Sequence, residues 1–463
     1  MEGTTPTAGE RPLVLLGQPL FPEFAAALAG RFRFVLVEDA DAATLAEGRA
    51  LLIGLKPVTD DHLAALPALG LVAGISVGIN HVDLAACRRR GIAVTNAGAA
   101  FAVDTADYSV GLVVAVLRRL AAAEAHIRAG RWATDGDYPL TTKEMPPPAQ
   151  TQADASKPVV LLADPIIPEF ELELSARYTL LPLADVDADT AASALALLTV
   201  ELPAVTAELM GALPKLELVL TSSVGVDHVD LAACRRRGIA VTNAGDAFSA
   251  DAADYAVGLV IASLRRVAAA DAYVRRGCWP AGGDYPLTSK VSGKRVGIVG
   301  LGNIGSRIAR RLAAFGCVVS YNSRSPKPSA PYEFVPTVRD LASGSDVLVL
   351  CCALTEETKH VVNREVMEAL GKDGVLVNVG RGGLVDEPEL VRCLREGVIG
   401  GAGLDVFESE PDVPPELFSM DNVVLSAHRA VATPESIRDV IELVAGNLDA
   451  FFAGKPVLSP VQL

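Results

Sequence analysis

The chain has 463 residues, half of them hydrophobic and 21% charged, with a formal net charge of −15. That length and apolar content suit two to four domains with large cores. The acidic balance, without a Lys/Arg-rich tract, excludes nucleic acid and membrane surfaces as main partners, although a local basic pocket for an anionic ligand remains compatible with it. Seven scattered cysteines without a C-x-x-C pair suggest reduced thiols and a cytoplasmic setting. Cys351-Cys352, adjacent in an apolar run, reads as packed rather than reactive. The first ten residues lack a basic start and an apolar signal core, and no apolar run approaches membrane-spanning length. No metal site is expected.

In chain order, the first feature is a repeat. Ser76–Gly98 and Ser223–Gly245 differ only at Ile79/Val226 and Asn80/Asp227, a period of about 147 residues. The match extends outwards, from Arg11-Pro-Leu against Lys157-Pro-Val to Asp137-Tyr-Pro-Leu against Asp284-Tyr-Pro-Leu. So long a period reads as a duplicated domain rather than a solenoid. Residues 1–143 form a partial first copy, and 144–157, with three consecutive prolines, form a linker.

The second copy alternates short β-rich runs with helical ones. Strands are expected at 158–162, 195–200, 216–221 and 239–242, and helices at 169–177, 208–213 and 230–237. This alternation predicts a parallel sheet covered by helices. A single long helix over 249–276 leads onward. Strand 296–299 then runs into Gly300, Gly302 and Gly305, a G-x-G-x-x-G that opens a helix over 306–315. The first glycine permits a tight turn, the second admits a pyrophosphate, and the third lets helix and strand pack closely. Asn303 and Ile304 lie between the glycines, at the helix N-terminus that faces the phosphates. Further strands at 318–321, 347–351, 375–379, 403–406 and 423–425 complete a doubly wound sheet of about six strands, and Thr433-Pro434 caps a last helix.

In such sheets ligands lie at the carboxyl ends of the strands. Arg381, between glycines after strand 375–379, can bind a carboxylate bidentately. Glu410 follows strand 403–406 in an acidic cluster with Asp405 and Glu408, and a carboxylate there would raise the pKa of a nearby imidazole. Of six histidines, only His428 ends a strand of this sheet, which makes it the best proton donor. The ribose-binding acid expected about 20 residues after the fingerprint for NAD is absent. Ser323, Arg324 and Ser325 stand there instead, able to donate to a 2′-phosphate, so NADP(H) is expected over NAD(H), which a merely polar loop would also accept.

The motifs SVGVDHVDL, GLGNIGSRIARRLAAFGC, VNVGRGGLVDEPEL, GAGLDVFESEP and NVVLSAHRAVATPES, in this order, resemble the D-2-hydroxyacid dehydrogenase family, in its glyoxylate/hydroxypyruvate reductase and hydroxyphenylpyruvate reductase branch. The match covers about Lys157 to Leu463. The resemblance implies an α/β fold: a flavodoxin-like substrate domain, 158–245 completed by 432–463, and an NADP-binding Rossmann domain, 246–431, with residues 1–143 a partial second copy of the former. It implies NADPH-dependent reduction of a small 2-oxo acid to the D-2-hydroxy acid. Arg381 would bind the substrate carboxylate, with backbone N–H groups of Val224 and Gly225. His428 would be the general acid, Glu410 would hold and charge it, and Asp405 would sit near the nicotinamide carboxamide.

The chain departs from the family where Ala427 and Ala353 replace the usual prolines and Arg429 follows the histidine. These departures leave a second reading open, a nucleotide-binding interaction module. The first copy lacks a fingerprint and is not expected to form an active site. It either packs on the second copy as an intramolecular pseudo-dimer partner, through Trp132 and Tyr138 opposite Trp279 and Tyr285, or is an idle fusion relic. Oligomeric state stays open between pseudo-dimer and homodimer.

Overall fold

The computed structural model describes residues 11–138, 157–200 and 202–463. The chain divides into two compact units, one ending at Ala106 and one starting at Asp107. The expected first domain, 1–143, is therefore not one unit: its tail is compact with the rest of the chain. Apart from Lys157, the linker expected at 144–157 lies outside the described residues.

The first unit holds a five-stranded parallel sheet in the order Arg33–Leu36, Leu13–Leu16, Ala50–Ile53, Leu71–Gly74, Ala93–Thr95. Leu15, Leu51, Ile53, Leu63 and Val72 form its core.

The second unit contains two sheets. One repeats the strand order of the first unit: Thr179–Pro182, Val159–Leu162, Ala196–Thr199, Leu218–Thr221, Ala240–Thr242. Strand Thr179–Pro182 is missing from the sequence reading because it is short and ends in proline, which an edge strand tolerates. One face packs against Phe170, Leu174, Val440, Val444 and Leu448. The last helix, Pro434–Phe452, thus returns to this sheet, and Val461 N–H donates to Val241 O. Thr433 caps it as expected, accepting from Ser436 N–H.

The other sheet has seven parallel strands, one more than expected. Their order is Glu333–Phe334, Val318–Asn322, Arg295–Val299, Val347–Leu350, Val375–Asn378, Gly401–Leu404, Val423–Leu425. This is the doubly wound order that reverses beside the first strand and opens a crevice there. The added strand is a two-residue edge. The long helix expected over 249–276 is instead two, Ser249–Arg265 and Val267–Arg275. Arg266 sits between them in the left-handed region at φ 48°. Arg119, in the matching Leu-Arg-Arg of the first copy, makes the same break at φ 51°.

Residues 107–138 pack against this nucleotide-type domain. A Cβ on Gly111 would meet Ile261 Cγ2 at 2.4 Å, and one on Gly258 would meet Val114 Cγ1 at 2.5 Å, so the two helices approach at their glycines. Arg118 stacks over Tyr255 at 4.6 Å, and its counterpart Arg265 over Tyr108 at 4.6 Å. Ile127 and Trp132 join the core of the seven-stranded sheet. Trp132 meets Phe407, not Trp279, which remains 57% exposed. Tyr138 lies against Arg119 and His126, and Tyr285 against Tyr273. The expected facing of Trp132 and Tyr138 with Trp279 and Tyr285 is therefore not formed. Among the described residues, no helix is long and apolar enough to cross a membrane.

Candidate active site

The fingerprint has the geometry its glycines require. Gly300 is at φ 100°, and a Cβ there would lie 2.6 Å from Cys352 N. A Cβ on Gly305 would lie 2.0 Å from Gly300 O, so the helix Asn303–Ala314 can press onto the strand only with glycine there. Gly302, by contrast, faces open space, with nothing within 4 Å of a built Cβ. That bare position, at the N-terminus of a 12-residue helix, is a cradle suited to a pyrophosphate. Asn303 and Ile304 begin the helix. Ser323 and the exposed Arg324 and Ser325 follow strand Val318–Asn322, with Ser323 Oγ donating to Ser325 O. The residues present therefore fit a dinucleotide. Cys351 and Cys352 pack beneath it, and burial pushes both thiols up, Cys352 to about 11.

Arg381 sits where strand Val375–Asn378 ends. Buried Asn378 donates from Nδ2 to Arg381 O at 2.8 Å and accepts from Gly380 N–H, which shapes the turn. The guanidinium reaches the substrate-type domain. Its Nη2 would be only 2.3 Å from a Cβ on Gly225, so glycine is needed for this approach. Val224 O accepts from Asn243 Nδ2 at 2.8 Å, which orients that loop. Arg381 Nε also donates to Asp227 Oδ1 at 3.2 Å.

His428 Nδ1 lies 2.8 Å from Glu410 Oε2, while Glu410 Oε1 accepts from Phe407 N–H at 3.0 Å. Both side chains are 28% exposed. Burial lowers the His428 pKa, but the bond to Glu410, its charge and that of Asp405 outweigh burial, and the net shift is upward. His428 is left-handed at φ 50°, a conformation that costs a non-glycine residue about 1 kcal/mol. Asp405 holds it there: Asp405 O accepts from His428 N–H at 2.7 Å. Its carboxylate accepts from Ser426 Oγ and from the backbone N–H groups of Arg429 and Ala430. Asp405 is fully buried, and burial raises its pKa against those bonds. Its oxygens thus serve the loop after His428, whatever else they touch.

Three participants were not singled out from sequence. Asp227 had a visible signal, as one of two positions where the copies differ. His360 had none: it lies at φ 50° after a loop and pairs with Glu408 at 2.8 Å. Arg118 comes from the first-copy tail. Its Nη2 donates to Arg429 O at 2.7 Å and Ala430 O at 2.9 Å, gripping the same loop from behind.

A family model described as D-isomer specific 2-hydroxyacid dehydrogenase, NAD binding domain, matches residues 257–430, and the catalytic-domain model of that family matches 31–145. A glyoxylate/hydroxypyruvate reductase of Arabidopsis thaliana is 65% identical over 259 residues, covering 56% of this chain and 80% of that protein. The chain belongs to the D-isomer specific 2-hydroxyacid dehydrogenase family. Among other members, hydroxyphenylpyruvate reductase of Plectranthus scutellarioides is 56% identical over 55% of this chain and 81% of that protein. The solved NADPH-dependent glyoxylate/hydroxypyruvate reductase of Sinorhizobium meliloti, in complex with NADP and malonate, superposes with a TM-score of 0.63 at 38% identity, covering 66% of this chain and 97% of that one. The chain is accordingly an oxidoreductase of this family, with its parallel α/β domains.

Proposed function

We propose that this dehydrogenase reduces a small 2-oxo acid, of the glyoxylate, hydroxypyruvate or hydroxyphenylpyruvate type, to the D-2-hydroxy acid with NADPH. The observation that carries the reading is the His428–Glu410 pair, with Arg381 of the neighbouring strand end directed at Gly225. Gly300, Gly302, Asn303, Ile304 and Gly305 hold the pyrophosphate, and Ser323, Arg324 and Ser325 select the 2′-phosphate. When bound, the dinucleotide supplies the hydride to C2 of the 2-oxo acid. Arg381 and the N–H groups of Val224 and Gly225 hold the substrate carboxylate and fix which face of C2 is presented. Glu410 accepts a hydrogen bond from Nδ1–H and stabilises the imidazolium, so His428 Nε2–H supplies the proton that passes to the developing alkoxide. Asp405 supports the nicotinamide carboxamide beside that loop.

Residues 107–138 act in place of a dimer partner. The reciprocal stacking of Arg118 and Arg265 on Tyr255 and Tyr108, and the reciprocal glycine contacts, support a local two-fold relation. Trp132 reaches the nucleotide domain of the second copy, whereas Trp279 has no such domain to reach and stays exposed. On this reading residues 107–138 contribute the contacts, and the truncated substrate-domain copy to which they belong forms no second active site.

The test is NADPH oxidation with the three 2-oxo acids in parallel, beside His428→Ala. Turnover lost in the variant supports the reading. A folded protein that binds NADPH but turns over none of the acids leaves only a binding module.

A further inference from the structure

Two segments carry side chains of the site. Arg381 lies in the turn after strand Val375–Asn378, and Glu410 in the segment after strand Gly401–Leu404. Both segments meet His360, which precedes helix Arg364–Leu370. On one side the backbone pairs with the Arg381 turn. His360 N–H donates to Gly383 O at 2.8 Å, Val362 N–H to Leu384 O at 3.0 Å, and Asp386 N–H to Val362 O at 3.0 Å. On the other side the ring meets Glu408: Nε2 lies 2.8 Å from Oε1, and because a carboxylate only accepts, the imidazole donates. His360 makes both contacts from the left-handed region, at φ 50°, where a residue with a Cβ is disfavoured. Strain of this kind persists only where the surroundings hold it, and it clusters at functional sites. The two segments also touch each other, since a Cβ on Gly382 would overlap the backbone of Phe407.

Glu408 stands two residues before Glu410. Its N–H donates to Glu387 Oε2 at 3.1 Å, and Phe407 N–H donates to Glu410 Oε1 at 3.0 Å. Three carboxylates therefore share one corner. Burial and the charges of Glu408 and Glu410 push the Glu387 pKa up, against the bond from Glu408 N–H. We propose that His360 is a positioning residue for the reaction: through Glu408 it fixes the segment that aims Glu410 at His428, and through Gly383 O it ties that segment to the Arg381 turn. The proposal rests on the 2-oxo acid reductase reading given above. With its donor on Glu408, His360 keeps that carboxylate in place and leaves Glu410 to His428 Nδ1. The His360 and Glu408 side chains are 36% and 31% exposed, so their pairing adds little to stability, and its consequence is geometric. Misplacing a positioned group by about 1 Å can cost about a hundredfold in rate.

The test compares His360→Ala, His360→Gln and Glu410→Gln with the His360→Ala/Glu410→Gln double variant, all in the full chain. Expected in His360→Ala is a kcat lowered by about tenfold, with NADPH affinity and thermal midpoint nearly unchanged. His360→Gln, whose amide still donates to Glu408, partly restores kcat, and His360→Ala costs nothing further once Glu410 is glutamine. A second measurement does not read turnover: the His428 pKa, followed by its imidazole proton shifts and assigned with His428→Ala. Glu410, Asp405 and Arg381 are the charged groups that act on His428, and the bond to Glu410 holds its pKa up most strongly. Loosening Glu410 lowers that pKa in His360→Ala and leaves it in place in His360→Gln. Unchanged kcat in His360→Ala, losses that add in the double variant, an equal loss in His360→Gln, or an unmoved His428 pKa would each overturn the proposal. A wild-type chain that turns over no 2-oxo acid, while its His428 pKa still falls in His360→Ala, overturns the reductase reading and leaves the hold of His360 on Glu410 supported.

Discussion

Glu410 engages His428 through a 2.8 Å contact between its Oε2 and the imidazole Nδ1. Because the His428 pKa is raised above its ordinary 6.5, reduction persists above that pH and declines as the raised pKa is passed. In Glu410→Gln the supporting charge is lost, burial prevails, and the inflection moves to lower pH. The pH profile of kcat/KM for reduction in both proteins checks this; an unmoved inflection refutes the pairing. Stability follows the same linkage. Protonation of His428 favours the folded chain fully below the unfolded pKa, and that contribution is lost as pH rises through the folded value.

Gly225 and Arg381 cannot keep their approach once a methyl group is added. Gly225→Ala would place a Cβ 2.3 Å from Arg381 Nη2, so the guanidinium must shift. Because small misplacements of a positioning group are expensive in rate, kcat/KM for the 2-oxo acid is expected to fall by about tenfold to a hundredfold, with NADPH affinity unchanged. Steady-state kinetics with each substrate varied separately decides it.

Arg118 positions the loop that bears His428 without touching the reacting atoms. Arg118→Ala removes its two bonds to Arg429 O and Ala430 O. The expected result is a kcat reduced by about tenfold with little change in either KM, and partial recovery in Arg118→Lys. A kcat equal to wild type would show the loop to be held by Asp405 alone.

Arg128 anchors the first-copy tail. It pairs with Glu124 at 2.9 Å, and Glu124 is 6% exposed at its side chain. It also donates to the carbonyls of Leu417, Phe418, Met420 and Val423. Arg128→Ala leaves a buried carboxylate unpaired, whose pKa burial already raises against the Arg128 charge. The loss is expected to be about 3 kcal/mol in denaturant unfolding. A change below about 0.5 kcal/mol would mean that the tail does not stabilise the nucleotide domain.

On the proposed reading, Ser323 and Arg324 set cofactor choice. Arg324→Ala is expected to raise KM for NADPH by about tenfold and leave that for NADH nearly unchanged, because only the 2′-phosphate loses a charge-assisted bond. Equal effects on both cofactors would place Arg324 elsewhere.

The sequence alone was sufficient for the alternating α/β pattern, the fingerprint between strand and helix, and the candidates Arg381, Glu410 and His428. Those signals are local: glycine spacing follows from turn geometry, and apolar runs follow from burial on both faces of a parallel sheet. The proline-ended strand Thr179–Pro182 and the two-residue edge Glu333–Phe334 were not legible, because so short a run owes its conformation to a neighbour already in the sheet. Nor was the break at Arg266, where a residue of good helix propensity occupies the left-handed region.

Only the tertiary structure decided what residues 107–138 do. Their sequence matches that of 254–285 at 20 of 32 positions, and the overall helical pattern is alike in the two segments. Trp132 is buried against Phe407 while Trp279 is exposed, and the difference lies in the surface each one meets. The pairing of Arg381 with Asp227, 154 positions apart, and the grip of Arg118 on the His428 loop, are likewise contacts between distant segments. No periodicity along the chain encodes them, because they arise only when separate sheets and helices pack and bring their ends together.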